Sequence, residues 1–130
     1  MIIINGRNIW PQDLEYVAET IPEVRIGNAS AFSVPGTNSH DQAVLIIQGR
    51  HGDQAMRADL TKRVQRDVRE EFGIDCFVEL VPHHTLPRTT SGKLSRSKAC
   101  MEFLIRNVAF QQSSIQKVRR FGKKELQLAI

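Results

Sequence analysis

The chain is poor in aromatic residues and in cysteine, and it has no long apolar run. Aromatics make up 6% of its 130 residues: one tryptophan, one tyrosine and six phenylalanines. Among the cations near the C-terminus only Phe110 and Phe121 are interleaved. A single-stranded nucleic-acid surface needs aromatic stacking platforms between its basic residues, so nucleic acid is not an expected partner. The two cysteines, Cys76 and Cys100, lack metal-ligand spacing. They read as reduced thiols of a cytoplasmic protein and as small buried hydrophobes, though two thiols suffice for one disulfide. No metal site is expected. No stretch approaches the roughly 18 apolar residues that a membrane span requires. Met1–Ile4 is too short for a leader and carries no basic residue. The expectation is a cytoplasmic protein without membrane contact.

What remains is ordinary for a globular domain. The sequence is 41% hydrophobic and 25% charged, and its length favours one domain. The formal charge of +4 and pI of about 9.4 admit an anionic partner without specifying one. There is no internal repeat.

Ile2-Ile3-Ile4 is a short β-branched strand running into a turn at Asn5-Gly6. The chain thus opens in mid-structure, as if something preceded it. Pro11 suits a first helical position, and Leu14, Val17, Ala18 and Ile21 recur at helical spacing up to Pro22, which predicts a helix over 11–20. Arg25 to Val34 reads as a strand, Pro35 to Ser39 as a turn, and Gln42 to Gln48 as a strand buried on both faces. These two strands predict an antiparallel hairpin. Asp53 caps the longest helix, whose Met56, Leu60, Val64, Val68 and Phe72 form a core stripe that stops at Gly73. A third strand covers Cys76 to Val81. After a loop over 83–92, Ser95 or Ser97 caps a helix from about Arg96 to Asn107, with Ala99, Phe103, Leu104 and Val108 inward. The order predicts an α+β sandwich. Its central three-stranded sheet is mainly antiparallel, about three helices flank it, and a short N-terminal strand is added.

Chemistry concentrates in Leu86 to Arg96. Pro87 fixes one end, three hydroxyl residues and Gly92 allow close backbone approach, and Lys93 follows just before a helix. Gly92-Lys93 looks like the tail of a phosphate-binding P-loop. That motif needs glycine where Pro87 stands and Ser or Thr where Leu94 stands, so it is rejected. His83-His84, His40 and His51 read as exposed loop histidines, since no cysteine or carboxylate completes a ligand set. Trp10 reads as a packing residue.

Pro87-Arg88-Thr89-Thr90-Ser91-Gly92-Lys93-Leu94-Ser95-Arg96 resembles the last core motif of the adenylate-forming superfamily, which includes acyl-CoA synthetases, peptide-synthetase adenylation domains and luciferases. Ile3-Ile4-Asn5-Gly6-Arg7-Asn8-Ile9-Trp10-Pro11-Gln12-Asp13-Leu14-Glu15 is similar to the segment that follows the family's hinge. The two motifs stand in the family's order. The wording Gly-Arg-Asn-Ile-Trp-Pro-Gln-Asp looks most like fatty-acyl-AMP ligases. Acyl-CoA synthetases usually read Gly-Gly-Glu-Asn here, and Asn5 and Arg7 depart from that.

The resemblance implies that residues 1–108 are the C-terminal lid of an ATP-dependent ligase, with 109–130 a basic tail or linker. Such a ligase activates a fatty or other carboxylic acid as acyl-AMP and passes it to a phosphopantetheine thiol. Lys93 would be the catalytic adenylation lysine, and Thr90, Ser91 and Gly92 its nucleotide-side loop. Gly6, Arg7 and Asn8 would form the thiol-acceptor face. ATP and Mg²⁺ would be bound mainly by an N-terminal adenylation domain in cis. The acceptor would be an acyl carrier protein or CoA. The fragment alone would then be inactive. An acyl-CoA synthetase lid or a peptide-synthetase loading lid is the alternative. From another class, so is a non-catalytic basic module that binds an acidic carrier protein or nucleic acid.

Overall fold

The computed structural model describes residues 1–4, 6–36 and 41–107. Val108, the basic stretch 109–130 and the turn residues 37–40 (His40 among them) lie outside that set. The chain runs β1 (Ile2–Ile4), β2 (Arg7–Ile9), α1 (Pro11–Glu19), β3 (Ala29–Pro35), β4 (Asp41–Gln48), α2 (Gln54–Phe72), β5 (Cys76–Val81) and α3 (Arg96–Arg106). The α+β expectation holds.

Strand β4 sits at the centre of a three-stranded sheet of order β3-β4-β5. Its run Ala43–Ile47 is at most 1% exposed, because both faces are covered. Alternation along the strands sorts the core into two layers. Ala29, Ala31, Leu45, Ile47, Cys76 and Val78 pack with α1, α2 and the β1–β2 pair. Phe32, Val34, Val44, Ile46 and Val81 pack with Leu86 and α3. Phe103 of α3 is fully buried and meets Phe32 and Phe77 edge-on, with ring centroids 5.7 and 5.6 Å apart.

The sheet is mixed. β3 and β4 pair antiparallel, as expected, but β5 runs parallel to β4. The cause is α2. At 1.5 Å per residue its 19 residues span about 28 Å, enough to return the chain to the far end of the sheet before β5 starts. Asp53 caps it through a 2.9 Å bond from the Met56 amide, and Gly73 ends it at φ +69°. Leu60, Val64 and Val68 are buried, Phe72 is half-buried against the core, and Met56 is 59% exposed.

Three further expectations are corrected. β3 begins at Ala29, not Arg25, because Arg25–Asn28 close a turn (Asn28 N to Arg25 O, 3.1 Å) with Gly27 at φ +88°. The segment after Gly6 is a second strand, which the sequence reading did not include. Gly6 turns at φ +76°, while Arg7 and Asn8 belong to β2 opposite Ile4 and Ile3. Trp10 is 52% exposed and stands at the N-cap of α1.

Candidate functional site

The lysine loop is a small closed hairpin. Leu86, 5% exposed, anchors it in the second core layer, and its amide donates to Gln48 Oε1 at 3.0 Å. The Ser95 amide donates to Pro87 O at 3.0 Å, and Arg88 bridges Leu94 in antiparallel fashion. The Thr89 amide donates to Lys93 O at 2.7 Å, and the Gly92 amide to Thr89 O at 2.9 Å. Gly92 sits at φ +86°, a conformation strained for other residues, and this lets the chain reverse. Arg88 Nη1 donates to Gly92 O at 2.9 Å and ties the two arms together.

Lys93 is the first residue of the returning arm. Its neighbour Leu94 is half-buried against the second core layer, whereas Lys93 is exposed. Among the described residues its ammonium makes no hydrogen bond or ion pair. Thr90, Ser91 and Gly92 are exposed beside it. The hairpin therefore holds its backbone closed while leaving a mobile point charge at the surface.

What holds this hairpin to the rest of the domain was not foreseen. Arg96 opens α3, three residues after the lysine. Its Nε and Nη2 each donate to Glu15 of α1 at 2.8 Å, a bidentate pair. Glu15 Oε2 also accepts the Ala31 amide of edge strand β3 at 2.8 Å. The Glu15 side chain is only 13% exposed, so little water competes for it. The bond to Glu15 raises the Arg96 pKa above the ordinary arginine value, so its charge is fixed. Glu15 closes the first sequence motif and Arg96 the last. Both residues were visible in the sequence, but nothing in it pairs positions 81 apart.

The candidate thiol-acceptor residues lie elsewhere. Arg7 Nη1 donates to Phe72 O at 2.8 Å, placing its charge on the C-terminal end of α2 beside Gly73. Phe72 and Gly73 come just before β5 starts. The lysine hairpin follows the other end, where β4 and β5 finish: Gln48, the last residue of β4, contacts Leu86, and Arg88 Nη2 reaches Gly27 O at 3.4 Å. Gly6–Asn8 and Lys93 are thus at opposite ends of the sheet. Asn8 is exposed.

Of the histidines, His83 and His84 are exposed. His51 is not a loop histidine free of contacts. Its Nε2 lies 3.1 Å from Ile47 O and 3.0 Å from Val81 O, so that nitrogen carries the proton and links the ends of β4 and β5. Among the described residues no three His, Cys, Asp or Glu side chains converge at metal-binding distances. Cys76 is buried and Cys100 half-buried, and both are free thiols.

No family model matches the chain. It is 47% identical over 105 residues, 80% of its length, to a protein of Caulobacter vibrioides named as an acyl-CoA synthetase. It is 37% identical over 109 residues, 78% of its length, to the long-chain-fatty-acid–AMP ligase FadD26 of Mycobacterium marinum. The chain spans 18% of each of these relatives. Among solved structures, a chain from a study of fatty acyl-adenylate ligases of E. coli and L. pneumophila superimposes with a TM-score of 0.70 at 41% identity. That match covers 83% of this chain and 19% of the other.

Proposed function

Because this chain belongs to the adenylate-forming superfamily and matches its C-terminal domain, we propose that it is the lid of an ATP-dependent ligase that turns a carboxylic acid into an acyl-adenylate. The carrying observation is Lys93: an exposed cation without a partner among the described residues, on a hairpin whose backbone is closed and clamped. Adenylation joins two anions. A carboxylate oxygen bonds to the α-phosphorus of ATP, the α–β anhydride bond breaks, and pyrophosphate leaves with that electron pair. An ammonium between carboxylate and phosphate stabilises charge that develops in the transition state. A lysine already paired within its own domain could not do this.

Mg²⁺ and the nucleotide are assigned to an N-terminal domain in cis, and the chain by itself is assigned no ligase activity. This is supported by its spanning only 18% of the relatives' length and by the lack of any three-residue metal-binding group among the described residues. The acid is assigned as a fatty acid and the acceptor as a phosphopantetheine thiol, supported by the FadD26 likeness and by Asn5 and Arg7 standing where acyl-CoA synthetases carry other residues. The positions of Gly6–Asn8 and Lys93 at opposite ends of the sheet support two working faces, one per half-reaction, exchanged by a hinge motion.

The test is Lys93→Ala in the ligase that contains this chain. Pyrophosphate exchange should fall by on the order of 10²–10³. Thiol transfer from supplied acyl-AMP should persist, and folding stability should change by less than about 0.5 kcal/mol, as for other exposed sites. Unchanged exchange would refute the assignment.

A further inference from the structure

The end of the sheet that carries the lysine hairpin also carries a basic groove, which the lid reading does not use. Two adjoining depressions of about 530 and 460 Å³ share Asn28, Gln48 and His83. Their floor is rigid. Gln48 is 7% exposed, its Oε1 accepts the Leu86 amide at 3.0 Å, and its Nε2 donates to Asn28 Oδ1 at 3.2 Å. An amide N–H can only donate, so this chain of bonds fixes the orientation of both side-chain amides. It leaves the Asn28 NH₂ group as a donor without a protein partner among the described residues.

The walls are cationic. Arg25 and Arg50 line one depression and make no ion pair or side-chain hydrogen bond among the described residues. Arg88 lines the other and, among the described residues, bonds only to the carbonyls of Gly92 and Gly27, with no carboxylate of that set opposing its charge. The one carboxylate in the lining among the described residues, Glu23, is engaged by Arg63, whose hydrogen bond holds it below the usual carboxylate range. Three guanidinium groups thus face a groove whose single acid is already neutralised. Guanidinium forks match phosphate oxygens geometrically, and a lone orthophosphate dianion would leave part of this charge uncompensated.

We propose that this groove binds a diphosphate group, held by Arg25, Arg50 and Arg88 over the Asn28–Gln48 floor. Free pyrophosphate and the terminal phosphates of a nucleoside triphosphate share that chemistry. Arg88 lines the groove and also closes the lysine hairpin, so occupancy stiffens the hairpin through Gly92 O. The proposal does not depend on the role of Lys93.

Inorganic pyrophosphate titrated into the full 130-residue chain at constant ionic strength, followed by amide and arginine side-chain NMR, tests it. Saturable shifts are expected at Gly27, Asn28, Gly49, Arg50 and His83. A double Arg25→Ser, Arg50→Ser variant should bind at least about tenfold more weakly, having lost two charge-assisted contacts, and Lys93→Ala should bind as the parent does. ATP that saturates the same residues identifies a nucleotide's terminal phosphates as a source, and ATP that leaves them unmoved restricts the site to free pyrophosphate. The proposal is overturned by shifts that do not saturate, that sulfate reproduces at equal concentration, that survive the double substitution, or that vanish in Lys93→Ala.

Discussion

The two hairpin segments that carry the family resemblance treat a cation in opposite ways. In the first, Arg7 reaches across to the C-terminus of α2 and bonds to Phe72 O. In the second, the Lys93 ammonium bonds to nothing among the described residues, and only the residue's carbonyl is engaged, by the Thr89 amide. The anchoring is reversed too. The β1–β2 pair lies directly on the first core layer through Ile2, Ile4 and Ile9. The lysine hairpin is held at its base, by Leu86 in the second layer and by Arg96 on Glu15. One segment is fixed by burial and gives up its charge to a helix end; the other is fixed by a polar clamp and keeps its charge available. A residue that must meet a ligand on another body needs the second arrangement, because any internal partner would have to be displaced first.

The largest expected effect comes from removing the floor under the lysine side. Phe103→Ala deletes a fully buried ring that two aromatics contact, and should cost about 3–5 kcal/mol. Thermal melting reads this directly, and a loss under about 1 kcal/mol would mean that α3 is not the support of the hairpin.

On the Arg7 side, burial pushes the Cys76 thiol up to about 12, with Asp75 adding to the shift. A raised pKa favours the folded state below the ordinary thiol value of 9.0 and loses that share as pH climbs toward 12. The share is on the order of a few kcal/mol. Melting temperatures at pH 8 and pH 11 should therefore drop less in Cys76→Ala than in the parent chain.

Glu15→Gln leaves Arg96 without its counter-charge and should cost about 1–3 kcal/mol. Hydrogen exchange should quicken over 87–95 and not over 2–9. Equal quickening of both segments would erase the contrast drawn above. Arg7→Ala is the mildest. It removes a helix-end cation worth about 0.3–1 kcal/mol, and exchange should rise only in the last turn of α2.

The sequence disclosed most of the elements. Pro11, Asp53, Gly73 and Ser95 mark helix ends through local backbone chemistry, and they do so in the structure. The continuous apolar run of β4 marked a strand covered on both faces. The direction of β5 was not legible, because pairing partners are chosen by packing and not by strand composition. Neither was the exposure of Met56 and Trp10, which depends on what the rest of the fold packs against each helix start. At the site, a loop that ends at Gly92 and Lys93 followed from its residues, while its closure into a hairpin and Arg7's bond to Phe72 O, 65 positions away, did not.

The sequence by itself determined the family and most of the helices and strands, since each is written in residues close along the chain. Tertiary structure alone decided that Glu15 meets Arg96, that Arg7 is committed to a helix end, and that three arginines from separate segments border one groove. Those are contacts between distant positions. They arise only when burial of the two apolar layers fixes the backbone, because no local preference encodes them.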